Sequence, residues 1–210
     1  IPFWKMSGAG NDFLVLNPRA AAARVDDPEF VRRVCTRRLS VGADGVVLVE
    51  PHDGRDAHVR VRFFNPDGSE FDTCGNGARC AARFAFETGL APASLVMATG
   101  AGLWPAEVRG ARVRLGFPPP RRLRLDTALR VDGRPVAGHL VEFGVPHLVV
   151  PVAALPEGPI EPEARKLRHA PELGPAGANV NYVQVLDRSR IAVRTYERGV
   201  EAETWACGSG

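Results

Sequence analysis

Arg62-Phe63-Phe64-Asn65-Pro66-Asp67-Gly68-Ser69-Glu70, followed by Cys74-Gly75-Asn76-Gly77, has a second copy further along the chain. That copy is Arg194-Thr195-Tyr196-Glu197-Arg198-Gly199, followed by Cys207-Gly208-Ser209-Gly210. In each, an alternating run reads as a strand, ends in a polar turn and leads to a Cys-Gly-polar-Gly element. The Asn65-to-Cys74 offset is nine and the Glu197-to-Cys207 offset is ten. Two similar halves, each ending in a thiol on a glycine-rich turn, predict a pseudo-symmetric two-domain protein with one shared cleft.

Between the copies stands Pro118-Pro119-Pro120, then Arg121-Arg122. Proline does not continue a sheet interior, so the run reads as a linker. We therefore expect an N-terminal domain over 1–117 carrying Cys74 and a C-terminal domain over 118–210 carrying Cys207. Apolar alternation predicts strands at Phe13–Leu16, Val46–Glu50, His58–Phe64, Leu103–Val108 and Val113–Phe117 in the first half. In the second half it predicts Val136–Val141, His147–Val150, Val180–Val185 and Arg190–Tyr196. A helix is expected from the Asp27-Pro28 cap to about Leu39. A second, apolar nearly all round and so buried, is expected from about Asn76 to Thr88, stopping at Gly89. One weak helix is expected around Glu161–His169, inside a proline-rich stretch.

Composition narrows the function classes. The chain has 210 residues, 45% of them apolar, and a formal charge of +3. The basic residues are nearly all arginines scattered among acids, which argues against a nucleic-acid stripe. No apolar run reaches the roughly 18 residues of a membrane helix. Ile1 to Gly10 lacks a signal-peptide pattern, so the cytoplasm is the expected compartment. Cys35, Cys74, Cys80 and Cys207 are then expected as thiols rather than disulfides. Neither C-x-x-C nor H-E-x-x-H occurs, so no metal site is expected.

The cysteine elements suit proton transfer at carbon. The first leads into a helix, and a helix N-terminus offers unpaired N–H groups and partial positive charge. Glycines let an anion approach those groups, and a carboxylate fits there. The same field favours thiolate over a thiol that otherwise titrates at about 8.5. Inverting an amino-acid stereocentre requires one base on each face of the α-carbon, and a thiolate and a thiol can exchange those roles. N–H groups aimed at the carboxylate would stabilise the charge that spreads into it. Pyridoxal phosphate would need a Schiff-base lysine, and Lys5 and Lys166 have no context for one, so we expect no cofactor.

These residues resemble the diaminopimelate epimerase family. The resemblance is carried by Lys5-Met6-Ser7-Gly8-Ala9-Gly10-Asn11-Asp12-Phe13, the two repeated segments with Ala78-Arg79-Cys80, Pro146-His147, and Ala178-Asn179. It implies two α/β (α+β) domains of like fold, each a curled, mostly antiparallel sheet around a central helix, with the active site in the cleft between them. It implies an epimerase of diaminopimelate in lysine and peptidoglycan precursor biosynthesis, with Cys74 and Cys207 as the acid/base pair. Gly75, Asn76, Gly208 and Ser209 would hold the reacting carboxylate through N–H groups, and Glu197 the reacting amino group. Asn11, Asn65, Asn179 and Arg198 would bind substrate, and His147 and Glu197 would tune the thiols. The partner is then a small amino acid, and a homodimer is compatible with the reading.

Gly45 and Val145 depart from the family's usual Gln and Asn at substrate-binding positions, and the second motif is one residue longer. The family also continues past the second cysteine, so the resemblance implies that this sequence is cut short. Two alternatives remain: a racemase of the same fold acting on another amino acid, or a non-catalytic binding or thiol-redox protein. Cys35 and Cys80 read as core packing. Taken without the resemblance, Asn65 reads as turn chemistry, and His147 as a packed histidine as readily as a functional one.

Overall fold

The structure, a computed structural model, describes residues 1–17, 25–117 and 119–209. Pro118 of the expected linker and Gly210 of the second cysteine element lie outside the described residues. The chain divides into two compact units, Ile1–Pro118 and Pro119–Gly210. The fold is α+β, with two mostly antiparallel sheets and few helices.

The first unit runs β1 (Trp4–Gly8), β2 (Asn11–Leu16), α1 (Pro28–Cys35), β3 (Gly45–Pro51), β4 (Val59–Phe64), β5 (Glu70–Phe71), α2 (Gly75–Glu87), β6 (Ser94–Thr99), β7 (Gly102–Arg109) and β8 (Arg112–Leu115). Its sheet has the order β1-β2-β3-β4-β6-β7-β8, with β5 against β4. Helix α2 touches both edge strands, β1 and β8, and the middle strands too, so the sheet curls around it. Phe13, Val15, Val47, Val49, Val61 and Phe63 face that helix, while Leu14, Leu16, Val46, Leu48 and Phe64 cover α1 on the outer face. A strand buried on both faces needs an unbroken apolar run, and Val46-Val47-Leu48-Val49 supplies it.

The second unit runs β9 (Arg121–Val131), β10 (Arg134–Phe143), β11 (Val145–Pro151), α3 (Glu161–Arg168), a 3-10 turn (Pro171–Leu173), β12 (Asn179–Val185), β13 (Ile191–Glu197) and β14 (Ala202–Thr204). Its sheet order is β14-β13-β12-β11-β10-β9. Ile160, Ala164 and Leu167 around α3 pack on Leu148, Val150, Val180, Tyr182 and Tyr196.

Strand register shows the internal repeat directly. β2 and β3 are parallel through the α1 crossover, pairing Phe13 with Gly45; β11 and β12 are parallel through α3, pairing His147 with Asn179. Next, Val46 pairs with Phe64 and Val180 with Tyr196. Last, Phe64 pairs with Glu70 and Tyr196 with Glu203. Phe13 therefore corresponds to His147, Gly45 to Asn179, Phe64 to Tyr196 and Glu70 to Glu203.

Some local expectations change. The first helix ends at Cys35, not Leu39, because the Thr36 hydroxyl and N–H turn back onto the Arg32 carbonyl and Arg38 is left-handed (φ 70°). Arg121-Arg122 belongs to β9 rather than to a linker. Two bulges shift the β9–β10 register, so Leu129 and Val131 are buried while Leu123 and Leu125 are exposed. β1, β5, β6, β9 and β14 were not predicted.

Candidate active site

In the first unit, Cys74 is the N-cap of α2: its backbone is extended and its Sγ accepts the Gly77 N–H at 3.3 Å. The sulfur thus occupies the position where a serine or aspartate oxygen usually satisfies a helix's first donors. No acidic side chain lies in the first turn of α2 to compete for that positive end. Asn76 is buried, with its Oδ1 accepting from Arg79 Nη2 and its Nδ2 3.5 Å from Asn11 Oδ1. Asn11 in turn donates from Nδ2 to Asp44 Oδ2 at 2.9 Å. These bonds fix which end of each amide points where.

Asp44 is anchored from the other side. Its Oδ1 accepts from Arg37 Nη2 at 2.8 Å, and its Oδ2 also accepts the Asp12 N–H at 3.0 Å. Asp12 pairs with Lys5 at 2.6 Å and with Arg37. Burial raises the Asp12 pKa, but the hydrogen bonds from Arg37 and Lys5 outweigh it and hold the carboxyl well below its usual range. The Ala9-Gly10 hairpin turn, left-handed at both residues (φ 56° and 87°), brings Asn11 to the helix end. Gly8 is required there, because a Cβ would lie 2.7 Å from the Asn76 carbonyl oxygen. Sequence reasoning missed Asp44, whose bonds to Asn11, Asp12 and Arg37 form only in the fold.

Asn65 sits apart from this network, at the end of β4. Its N–H donates to the Ser69 carbonyl at 2.9 Å and its Nδ2 to Ser69 Oγ at 3.0 Å, within an Asn-Pro-Asp-Gly turn.

In the second unit, Cys207 is half-buried, with its Sγ 3.6 Å from Ser209 Oγ and Gly208 exposed between them. Glu197, at the end of β13, accepts from Thr204 Oγ1 at 2.6 Å. Asn179 is buried at the start of β12, and its Oδ1 accepts the Arg198 N–H at 2.7 Å. The turn after Arg198 is pinned by Glu201, which accepts from Gly199 N at 3.1 Å, from Arg168 Nε at 2.8 Å and from the Tyr196 hydroxyl at 3.1 Å. Burial pushes the Arg198 pKa below its ordinary value, with the like charge of Arg168 adding to the effect.

His147 is fully buried beside Asn179 in register. Its Nδ1 lies 3.3 Å from the Asn181 amide nitrogen, whose Oδ1 accepts from Thr195 Oγ1 at 2.9 Å. With that amide donating, the imidazole proton sits on Nε2, a buried atom with no hydrogen-bond partner among the described residues. Burial, aided by Arg198, pushes the pKa of His147 down to about 4.

Cys35 and Cys80 are buried in core clusters, and burial raises both pKa values to about 11, which suits packing rather than reactivity. Of the family departures, Gly45 faces the Phe64 carbonyl oxygen so closely that a Cβ would lie 2.6 Å from it. Val145 closes the β10–β11 turn opposite Phe143. Among the described residues, no helix is long and apolar enough to cross a membrane, and no group of three or more His, Cys, Asp or Glu is arranged to hold a metal ion.

Solved structures share this fold. A hydroxyproline epimerase from Agrobacterium vitis superposes with a TM-score of 0.69 at 15% identity, covering 92% of this chain and 69% of that one. A phenazine biosynthesis protein of the PhzF family from Bacillus anthracis gives 0.63 at 17% identity, covering 99% and 75%. The fold is thus the one seen in PhzF-like proteins and in amino-acid epimerases of this kind. Sequence comparison is narrower: the family model described as diaminopimelate epimerase matches residues 3–116 and 139–210. The diaminopimelate epimerase of Aquifex aeolicus is 42% identical over 217 residues, spanning 99% of this chain and 77% of that protein. That of Archaeoglobus fulgidus is 42% identical over 224 residues, spanning 100% and 78%. The chain belongs to the diaminopimelate epimerase family and is an isomerase.

Proposed function

We propose that this chain interconverts LL- and meso-diaminopimelate by exchanging one α-proton between Cys74 and Cys207. The observation that carries the reading is the cap: the sulfur of Cys74 takes the place of a capping oxygen on α2, and Cys207 ends the same strand-turn-strand repeat. One sulfur, as thiolate, removes the α-proton from its face. The other, as thiol, returns a proton to the opposite face, and the two have then exchanged protonation states. The N–H groups of Gly75, Asn76, Gly208 and Ser209 hold the carboxylate into which the charge spreads. Glu197 holds the reacting amino group, while Asn11, Asn65, Asn179 and Arg198 bind the rest of the substrate. A buried, neutral His147 and Glu197 set the environment of the thiols without supplying a proton themselves.

The exchange is written with thiols, carboxylates and backbone donors alone, so no cofactor takes part. A reaction that needs both thiols reduced belongs in the cytoplasm, where it would serve lysine and peptidoglycan precursor synthesis. The chain's partner is the amino acid itself, with neither nucleic acid nor membrane involved; a homodimer is compatible with this scheme.

The test is epimerisation in deuterated water without added pyridoxal phosphate or metal. Deuterium should enter the α-position of diaminopimelate, and chiral chromatography should show both epimers. Full activity of Cys74→Ser or Cys207→Ser would sink the two-thiol mechanism.

A second reading, a racemase of another amino acid, is favoured at two positions. Gly45 has no room for a side chain, and Val145 presents an apolar one where the family has an amide. Removing a substrate's hydrogen-bond partner costs roughly 1–3 kcal/mol, enough to redirect specificity. A panel of amino acids in the same assay separates the readings, since turnover of another amino acid with none of diaminopimelate would select the second.

A further inference from the structure

Each cysteine is preceded, four positions earlier, by a glutamate: Glu70 before Cys74 and Glu203 before Cys207. Each glutamate is gripped by an arginine on the longer strand that its own short strand pairs with. Arg62 on β4 donates from Nε to Glu70 Oε1 at 2.8 Å and from Nη2 to Glu70 Oε2 at 2.7 Å. Arg194 on β13 donates from Nε to Glu203 Oε1 at 2.6 Å and from Nη2 to Glu203 Oε2. The same arginines reach a third element. Arg62 Nη2 also donates to Asp26 Oδ1 at 2.8 Å, just before α1, and its guanidinium lies 5.0 Å from the Phe64 ring centroid. Arg194 Nη1 donates to the carbonyl of Gly158 at 2.7 Å, just before α3, and to that of Pro156. In both units one guanidinium therefore ties its own strand, the approach to the crossover helix and the short strand leading to the cysteine.

The sequence spacing explains how the two forks coincide. Arg62 and Glu70 are eight residues apart, and Arg194 and Glu203 nine. The additional residue falls in the turn, so the glutamate-to-cysteine spacing stays the same in both units. The short strands need such a tie. β5 has two residues and β14 three, too few for ladder bonds alone to fix the course of the chain from there to the cysteine. A bidentate, charge-assisted fork fixes direction as well as distance, which a lysine would not. The third partner differs between the units, a carboxylate in the first and backbone carbonyls in the second, while the Arg–Glu fork itself is the same in both.

We infer that Arg62–Glu70 and Arg194–Glu203 are twin positioning devices, each setting the placement of the one thiol in its own unit. The consequence for catalysis rests on the two-thiol reading above. A proton transferred across one carbon tolerates little error, and a misplacement of about 1 Å can cost on the order of 100-fold in rate. Arg62 and Arg194 touch no reacting atom in this scheme, so they are positioning residues.

The test uses the full chain with Arg62→Lys, Arg194→Lys and, as milder variants, Glu70→Gln and Glu203→Gln. Iodoacetamide labelling followed by peptide mass spectrometry gives a rate for each cysteine separately. Arg62→Lys should change the labelling rate of Cys74 several-fold and leave Cys207 as it was; Arg194→Lys should do the reverse. Buried Cys35 and Cys80 report on loosening of the first unit as a whole and should stay unlabelled. In the epimerase assay each lysine variant should lose about 10- to 100-fold in kcat with KM within about threefold of the parent.

Labelling and kcat within twofold of the parent would overturn the inference. So would equal changes at both thiols accompanied by labelling of Cys35 and Cys80, which would mark a merely structural role. If the parent chain exchanges no α-proton, yet Arg62→Lys still alters Cys74 alone, the epimerase reading falls and the positioning role stands.

Discussion

The first unit covers its sheet on both faces, with α2 inside the curl and α1 outside. The second unit, among the described residues, covers one face with α3 and leaves Val185, Ile191 and Val193 exposed on the other. From the β1–β2 and β10–β11 hairpins to the cysteine the two units follow the same path, pair for pair, while β9 has no counterpart in the first unit. The difference lies in what occupies the equivalent positions. Where the first unit has Phe13, Gly45, Asn65 and Phe71, the second has His147, Asn179, Glu197 and Thr204. The repeat thus supplies two similar frames for a thiol, and the second frame carries more of the polar and titratable groups. A reaction that treats the two faces of a carbon alike needs the frames to match at the sulfur; recognition of one particular substrate needs them to differ around it.

The sharpest way to break the likeness is at the sulfurs themselves. If the two thiols share one proton exchange, Cys74→Ala and Cys207→Ala should each remove most of the rate, about 10²- to 10⁴-fold for loss of a positioned acid or base. The double variant should be hardly worse than either single one, because the pair acts as a unit. A double variant that multiplied the two losses would show that the thiols act in separate steps. The readout is deuterium entry at the α-carbon, compared across the three variants.

This part of the design was legible in the sequence because the repeat lies in residues whose spacing survives folding unchanged. The helix at Cys74 could be read from its glycines and apolar run, and the longer strands that lead up to each turn, β2 to β4 and β11 to β13, from their alternation. The asparagines at 11 and 76 were named as ligands, but that Asp44 orients Asn11 could not be read, since that contact joins residues 33 positions apart. β9 stayed hidden for a different reason: a proline run precedes it, and two bulges break its alternation. β5 and β14 are too short to show any periodicity at all. The Arg–Glu forks look like ordinary surface charges until register places each pair side by side.

The next prediction turns on Phe13 against His147. His147 stays neutral in the fold, with its pKa lowered to about 4 from an ordinary 6.5. The unfolded chain therefore binds more protons than the folded one between those values, and stability falls as pH drops from about 6.5 toward 4. The full loss is about 3 kcal/mol by linkage. It should fall on the second unit, because Phe13 does not titrate. The paired carboxylates Asp12 and Glu70 of the first unit have pKa values held below their ordinary ones by their arginine and lysine partners, so they do not add a loss between pH 7 and pH 5. Hydrogen exchange at pH 7 and pH 5 should show strands β11 to β13 losing protection while β2 to β4 keep it. His147→Phe should abolish the difference, and an unchanged pH response in that variant would refute the assignment.

Gly45 against Asn179 tests the same comparison at a smaller scale. Gly45→Ala drives a Cβ to 2.6 Å from a backbone carbonyl, and overpacking of this kind costs about 1–3 kcal/mol. Asn179→Ala has space but deprives the part-buried Arg198 N–H of its acceptor, a cost of about 1–3 kcal/mol at most. The two should separate in function. The first should lower the denaturant midpoint with KM hardly altered, and the second should raise KM as well. Equal effects on KM would mean that the positions do not play different parts.

The smallest effects should come from the residues that steady Asn65 and Glu197. Glu197 accepts from Thr204 Oγ1 across the β13–β14 pair, so Thr204→Val keeps the shape and deletes one hydrogen bond to a charged group, worth roughly 1.5–3 kcal/mol at most. Because Glu197 is half-buried, the observed change should sit near or below the lower end, a several-fold loss in kcat/KM. Ser69→Ala deletes the corresponding bond to Asn65. There the backbone already holds the turn through Asn65 N to Ser69 O and Gly68 N to Asn65 O, each at 2.9 Å. The loss should therefore be under about 0.5 kcal/mol, as for an ordinary surface change. Steady-state kinetics on the two variants measure the gap. If Ser69→Ala proved as damaging as Thr204→Val, side-chain placement of Asn65 would matter as much as that of Glu197, and the first frame would carry more of the recognition than its backbone-held turn suggests.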